Sequence, residues 1–174
     1  MLSTQTITRT LALACLTLVT SLSMTNVSSA QSISSLAENE AEYQAYIYTY
    51  MTQVTLQNLP SAIDNDIDNA ETRSERLTFE LEQFFALEAR SDVNRAFKHA
   101  IFALKNDDNE SWEDCRIDLI KARDACERLL GYQEAIGSDF SRRFTVQTAL
   151  VYLDVAIPNA SRAYRTIKGP TKRR

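Results

Sequence analysis

Glycine and proline are scarce, with three of each in 174 residues. Strands joined by tight turns draw on both, glycine for positive φ and proline for a preset φ, so their scarcity argues against a sheet-rich domain. Cysteine is equally rare. Cys15, Cys115 and Cys126 include no C-x-x-C pair, which removes thioredoxin-like redox chemistry and c-type haem attachment. The single histidine, His99, cannot build a zinc set. A di-iron carboxylate site needs Glu-x-x-His on two helices, but Ala96 stands three residues before His99 and there is no second histidine. A haem held by His99 and a methionine would depend on Met51, because Met1 and Met24 lie in the first thirty residues. No G-x-S-x-G nucleophile motif occurs. The apolar stripe of 111–136 carries no acidic residue, and the Asp107-Asp108 pair sits in an exposed polar loop, a poor setting for a general acid. No catalytic residue, metal or cofactor is therefore assigned. His99 beside two acidic groups in a cleft would reverse that.

Long hydrophobic runs are lacking as well. The run LALACLTLV at 11–19 falls well short of the roughly 20 residues needed to span a bilayer. Arg9 is the only charge in the first thirty residues, and Ser28 and Ala30 are small residues at −3 and −1 for a cut after Ala30. Residues 1–30 read as a cleavable signal peptide, which implies an exported, periplasmic or extracellular protein. Residues 31–167 read as one helical-bundle domain, and 168–174 (KGPTKRR) as a short, basic, disordered tail.

What is abundant is Ala, Leu, Glu, Arg and Gln, all good helix formers. The expected fold class is all-α, an antiparallel four- or five-helix bundle. A first helix is predicted over 38–58, with Tyr43, Ile47, Tyr50 and Val54 facing inward. A second starts at Pro60 and repeats Ile63, Ile67, Ala70, Ser74, Leu77, Leu81 and Phe84 at 3–4 spacing. Its Asp64-Asn65-Asp66-Ile67-Asp68 segment imitates a calcium loop, but Asn69 stands where the sharp turn requires Gly, so a helix start is the better reading. A break near 89–91 is expected, followed by a third helix over 92–105 on Val93, Ala96, Phe97, Ala100, Ile101 and Leu104. The fourth, over 111–136, has the widest apolar face: Trp112, Cys115, Leu119, Ala122, Cys126, Leu129 and Leu130. Ser111 and Asp114 are positioned as its capping box. Gly137 suits a C-terminal cap. A fifth helix over 140–157 carries Phe144, Thr148, Val151 and Val155 on its face, and Pro158 should kink or stop it.

Charge is segregated. Residues 31–136 carry 21 acidic and 10 basic side chains, whereas 137–174 carry 2 and 8. The simplest meaning is internal, a basic last helix packed beside acidic neighbours. The functional meaning is a basic surface for an outside partner. Four tyrosines within eight residues cannot all face inward, and tyrosine combines rigid area with a polar tip. Tyr43, Tyr46, Tyr48 and Tyr50, with Arg142, Arg143, Arg162 and Arg165, therefore make up a candidate protein-binding surface. The expected partner is a protein. An acidic polymer or lipid surface ranks below it, and net charge of −4 argues against nucleic acid.

Cys115 and Cys126 lie eleven residues apart, about 16.5 Å along one helix, whereas a disulfide needs Cα atoms within about 7 Å. Three readings stand: buried free thiols, a bond across a broken helix, or an inter-chain disulfide in a homodimer. Asn109-Glu-Ser111 and Asn159-Ala-Ser161 are sequons, usable only in a eukaryote. The leading functional expectation is an exported, non-catalytic protein that binds another protein through its helix surfaces. The alternative is a carrier of a small apolar ligand or lipid, with Phe79, Phe84, Phe85, Phe97 and Phe102 around an internal cavity.

Overall fold

Local signals punctuate the chain at four places. The computed structural model describes residues 40–167, and within them the chain forms helices α1 (Glu40–Leu56), α2 (Leu59–Asn69), α3 (Arg73–Asn106), α4 (Asn109–Ile136) and α5 (Phe140–Ile167), with no strand among the described residues. The predicted signal peptide and basic tail lie outside them. Pro60 sits in the first turn of α2, where its missing N–H costs nothing. Thr72 opens α3 with a complete capping box: its hydroxyl accepts from the Glu75 N–H at 3.1 Å, and the Glu75 carboxylate accepts from the Thr72 N–H at 3.0 Å. Asp107, in the left-handed region at φ 51°, ends α3, and Asp108 caps α4. Gly137, at φ +68°, closes α4, and the Ser138 N–H returns to the Gln133 carbonyl at 2.9 Å.

Cross-helix pairs give the topology. Gln53 donates to Asn94 at 2.9 Å, and the Gln83 amide reaches the Pro60 carbonyl at 3.4 Å. As one number rises the other falls, so α1 and α2 form a single interrupted path running antiparallel to α3. Tyr132 donates to the Thr78 carbonyl at 3.1 Å, and Arg128 meets Glu88 at 2.9 Å. Lower down, His99 lies 3.7 Å from Asp118. These pairs set α4 antiparallel to α3. Arg123 to Asp154, 3.1 Å, ties α4 to α5, and the Tyr48 and Tyr152 rings close the circle between α1 and α5 at 6.1 Å. The result is an up-down-up-down bundle whose first member is broken at 57–58.

Alanine makes up much of the core: 12 of the 26 buried apolar residues are Ala. Small side chains let helix axes approach closely. Larger ones fill the remaining space, among them Trp112, Leu119 and Leu129 from α4, Val93 from α3 and Val146 and Leu153 from α5.

Several expectations are corrected. The tyrosine-bearing α1 turns inward on Ala45, Tyr46, Thr49, Thr52 and Leu56, leaving Tyr50 and Val54 exposed. Thr49 and Thr52 go inside because each hydroxyl donates to the carbonyl four residues back, at 2.6 and 2.7 Å, and brings no unpaired polar group with it. The break expected near 89–91 falls instead at 70–72, and α3 runs on for 34 residues, about 51 Å. Leu77, Leu81 and Phe84 point outward. Their place is taken by Glu82, Ala86 and Ala89. In α5 the inward residues are Val146, Ala149, Leu153, Ala156 and Ala160, so Phe144 and Val151 face out. Pro158 does not end that helix. The cap of α4 is Asp108, to which the Ser111 hydroxyl donates at 2.5 Å, rather than Ser111 itself. The α4 stripe behaves as expected, with Trp112, Cys115, Leu119, Ala122, Cys126 and Leu129 all buried.

Candidate binding surface

The inward turn of the alanines has a consequence on the outside. Successive positions on a helix advance about 100°, so Phe140, Phe144 and Val151 share one row of α5, and all three are exposed, Phe140 at 69 %. The same row continues past Pro158 to Arg162 and Arg165, both exposed. Phe140 and Phe144 stack with ring centroids 6.0 Å apart. On α3 a second row is formed by Leu77, Leu81 and Phe84, exposed at 55, 43 and 59 %, with Leu87 at its edge. Phe84 meets Phe85, and Phe85 meets Tyr132 of α4, each pair at 5.7 Å. Isolated apolar residues on a surface need no explanation, but contiguous rows do.

The residues singled out in the sequence fall into different settings. Tyr46 is buried and meets the Phe97 ring at a tilt, with centroids 5.5 Å apart. Burial, with Tyr50 nearby, raises its pKa. Tyr50 is exposed and shares Phe97 at 5.7 Å, while Tyr43 and Tyr48 are half-buried. A surface made of all four tyrosines does not exist, because they point to opposite sides of α1. Arg142 is not a surface cation either. It bonds Glu82 at 3.1 Å and also pairs with Asp66, with only 12 % of its side chain exposed, and burial lowers its pKa. Arg143 is half-buried with an unpartnered buried Nε. Arg162 and Arg165 are the members of the basic group left on the outer face.

Glu82, fully buried, is the polar centre of the bundle end. Its Oε1 accepts from Gln133 Nε2 at 2.9 Å and from the Ser138 hydroxyl at 2.8 Å, and its Oε2 accepts from Arg142. A cleft of about 380 Å³ lies beside it, lined by Asp66, Glu75, Thr78, Phe79, Ser138, Asp139 and Arg142 among others. Its walls are as much polar as apolar, and of the five phenylalanines expected to line a carrier cavity Phe79 alone borders it: Phe84 and Phe102 are exposed, and Phe85 and Phe97 meet neighbouring rings at a tilt.

His99 does sit between two carboxylates, 4.0 Å from Asp114 and 3.7 Å from Asp118. Asp118 is also held by Lys121 at 3.0 Å and Arg95 at 3.6 Å, and Arg95 pairs with Asp92 as well. Desolvation, the largest influence, raises the Asp92 pKa, with Arg95 opposing. Arg95, Lys121, Asp92 and Asp118 thus form an ion-pair network between α3 and α4, with the His99 ring at its edge. No group of three or more His, Cys, Asp and Glu fit to hold a metal occurs among the described residues.

Cys115 and Cys126 are free thiols with no exposed surface. The unbroken α4 rules out a bond between them, and neither sulfur can reach a second chain while the bundle is folded, which corrects the inter-chain reading. Desolvation pushes both pKa values up to about 12, so neither is a reactive thiolate at neutral pH. The sequons are also altered by their surroundings. Asn159 donates to the Val155 carbonyl at 2.9 Å within α5, and Ser111 is buried against Asp108.

The outward rows escaped sequence reading because a clean apolar period looks the same whether it faces in or out. The signal that could have exposed them is the competing alanine row one step round each helix, for example Ala86, Ala89, Ala96 and Ala100 beside Leu77, Leu81 and Phe84. Among family models, curated proteins and solved structures, none matches this chain.

Proposed function

We propose that this chain is an exported, non-catalytic binding protein that docks a partner protein on the outer face of α5. The observation that carries the reading is the row Phe140, Phe144 and Val151 on the solvent side of a well-packed helix, running on into Arg162 and Arg165. Exposed aromatics ahead of basic groups complement a segment that presents apolar side chains followed by acidic ones. The row covers about 38 Å from Phe140 to Arg165 at helical rise, long enough for a partner helix. A surface role is favoured over a carrier role by four of the five phenylalanines, Phe84, Phe85, Phe97 and Phe102, which lie exposed or against a neighbouring ring rather than around a shared space. Export is the part of the reading that rests on residues 1–30.

A photo-reactive side chain at Val151 tests this in the native extracellular or periplasmic fraction. One discrete adduct is expected, lost in Phe144→Glu and reduced in Arg165→Glu, with the circular dichroism of both variants unchanged. No adduct at Val151, or the same adduct from a probe at the exposed Asp124 of α4, overturns the reading.

A further inference from the structure

We propose that a second copy of this chain covers the apolar row of α3, through a two-fold, antiparallel pairing of α3 with itself. The inference goes beyond the α5 reading and uses a different helix. Leu77, Leu81 and Phe84 form a row on the solvent side of α3, where no helix of its own bundle lies. The order of side chains along that row is self-complementary. A two-fold axis midway between Glu80 and Leu81 sets Leu77 against the partner's Phe84 and brings the two Leu81 side chains together. It also sets Arg73 against the partner's Glu88.

That last pair is what singles out a second copy over a different protein. Arg73 is exposed and at the same angular position as the apolar row to within about 40° at helical phase. Among the described residues no ion pair of Arg73 exists. Glu88 lies at the other end of the row, in reach of Arg128 at 2.9 Å with 39 % of its side chain exposed. Opposite charges at equal distances either side of an apolar centre are satisfied twice by one isologous contact. The α5 row lacks this property. The axis that sets Phe144 against the partner's Val151 leaves the basic end at Arg162 and Arg165 beyond the apolar contact.

The apolar core of the row, from Leu77 to Leu87, is about 15 Å long. That places the contact at the small end of specific interfaces, so a dissociation constant on the order of micromolar is expected. Sedimentation equilibrium of the intact chain across that range should show a monomer–dimer system. Leu81→Arg sets two like charges together at the axis and should weaken the dimer at least about tenfold. Because Leu81 is exposed in the monomer, the thermal midpoint measured below the dissociation constant should stay unchanged. R73E and E88R should each weaken the dimer, and the R73E/E88R double variant should restore it. Phe144→Glu, which removes the α5 contact, should leave it intact. A monomer at every concentration overturns the inference. So does a dimer that survives Leu81→Arg, a dimer lost with Phe144→Glu, or failure of the double charge reversal to restore association. Each of these outcomes leaves the α5 cross-linking result standing on its own.

Discussion

Glu82 has no exposed surface, yet three donors converge on it, from α4, from the α4–α5 connection and from α5. A buried carboxylate is tolerable only when its partners are in place. Glu82→Ala leaves Arg142 with Asp66 alone and the Gln133 amide unpaired. It should cost about 3–5 kcal/mol, measured by urea denaturation. The Glu82→Ala/Arg142→Ala double variant should cost less than the sum of the two single changes, because the stranded charge is gone. The buried cysteines make a prediction of opposite kind. Their folded pKa of about 12 lies above the ordinary 9.0, so the unfolded chain releases those protons first. Stability is intact below pH 9 and falls as pH rises toward 12. The slope is about 1.4 kcal/mol per pH unit for each thiol. Denaturation midpoints followed from pH 8 to 10.5 check this, and Cys115→Ala/Cys126→Ala should flatten the fall.

At the scale of the element, helix ends are decided by a few side chains. Thr72→Ala removes one half of the capping box that starts α3 and should cost about 1 kcal/mol. The rotation of α3 is tested by a pair of substitutions with opposite expectations from a reading of hydrophobicity alone. Leu77→Gln, in the outward row, should change monomer stability by less than about 0.5 kcal/mol. Ala96→Leu, which makes the helix more apolar, should cost about 1–3 kcal/mol by overpacking. Both are read by chemical denaturation at a concentration low enough to keep the chain monomeric.

These helices also show how far the sequence could be read. The α4 stripe was legible because seven apolar residues, one of them Trp112, crowd one third of its circumference and nothing competes with them. The phase of α1 was not, since its inward row includes Thr49 and Thr52, whose hydroxyls are satisfied by their own backbone. In α3 the apolar period ran unbroken from Ile63 through Phe84 and hid the Thr72–Glu75 box that divides it. The direction in which a row faces depends on which neighbour can come closest, and alanine content decides that only once the partner helices are in view. The internal reading of the charge asymmetry was accessible from counts alone, and Arg142 with Asp66 and Glu82 is its physical form.

For the whole molecule, α5 closes the bundle by packing on both α1 and α4, and its arginine holds two acidic helices. A chain ending at Ile136 should therefore lack a cooperative thermal transition, checked by calorimetry against the full chain. The outward rows on α3 and α5 lie on helices that run parallel and occupy opposite corners of the bundle. Each surface is accordingly available to a separate partner, and a double variant, Leu81→Arg with Phe144→Glu, should show the two losses independently.

An interior made so largely of alanine also sets how the protein responds to temperature. Alanine gives up no rotamer freedom when buried, and it removes less apolar area from water than leucine or phenylalanine would. Less hydration is released on folding, so the heat capacity increment of unfolding should lie below the usual value of about 12–15 cal/mol/K per residue. The stability curve of this bundle should then be shallow. It should lose little between 0 °C and about 40 °C, and resist cold denaturation better than a leucine-rich bundle of the same length.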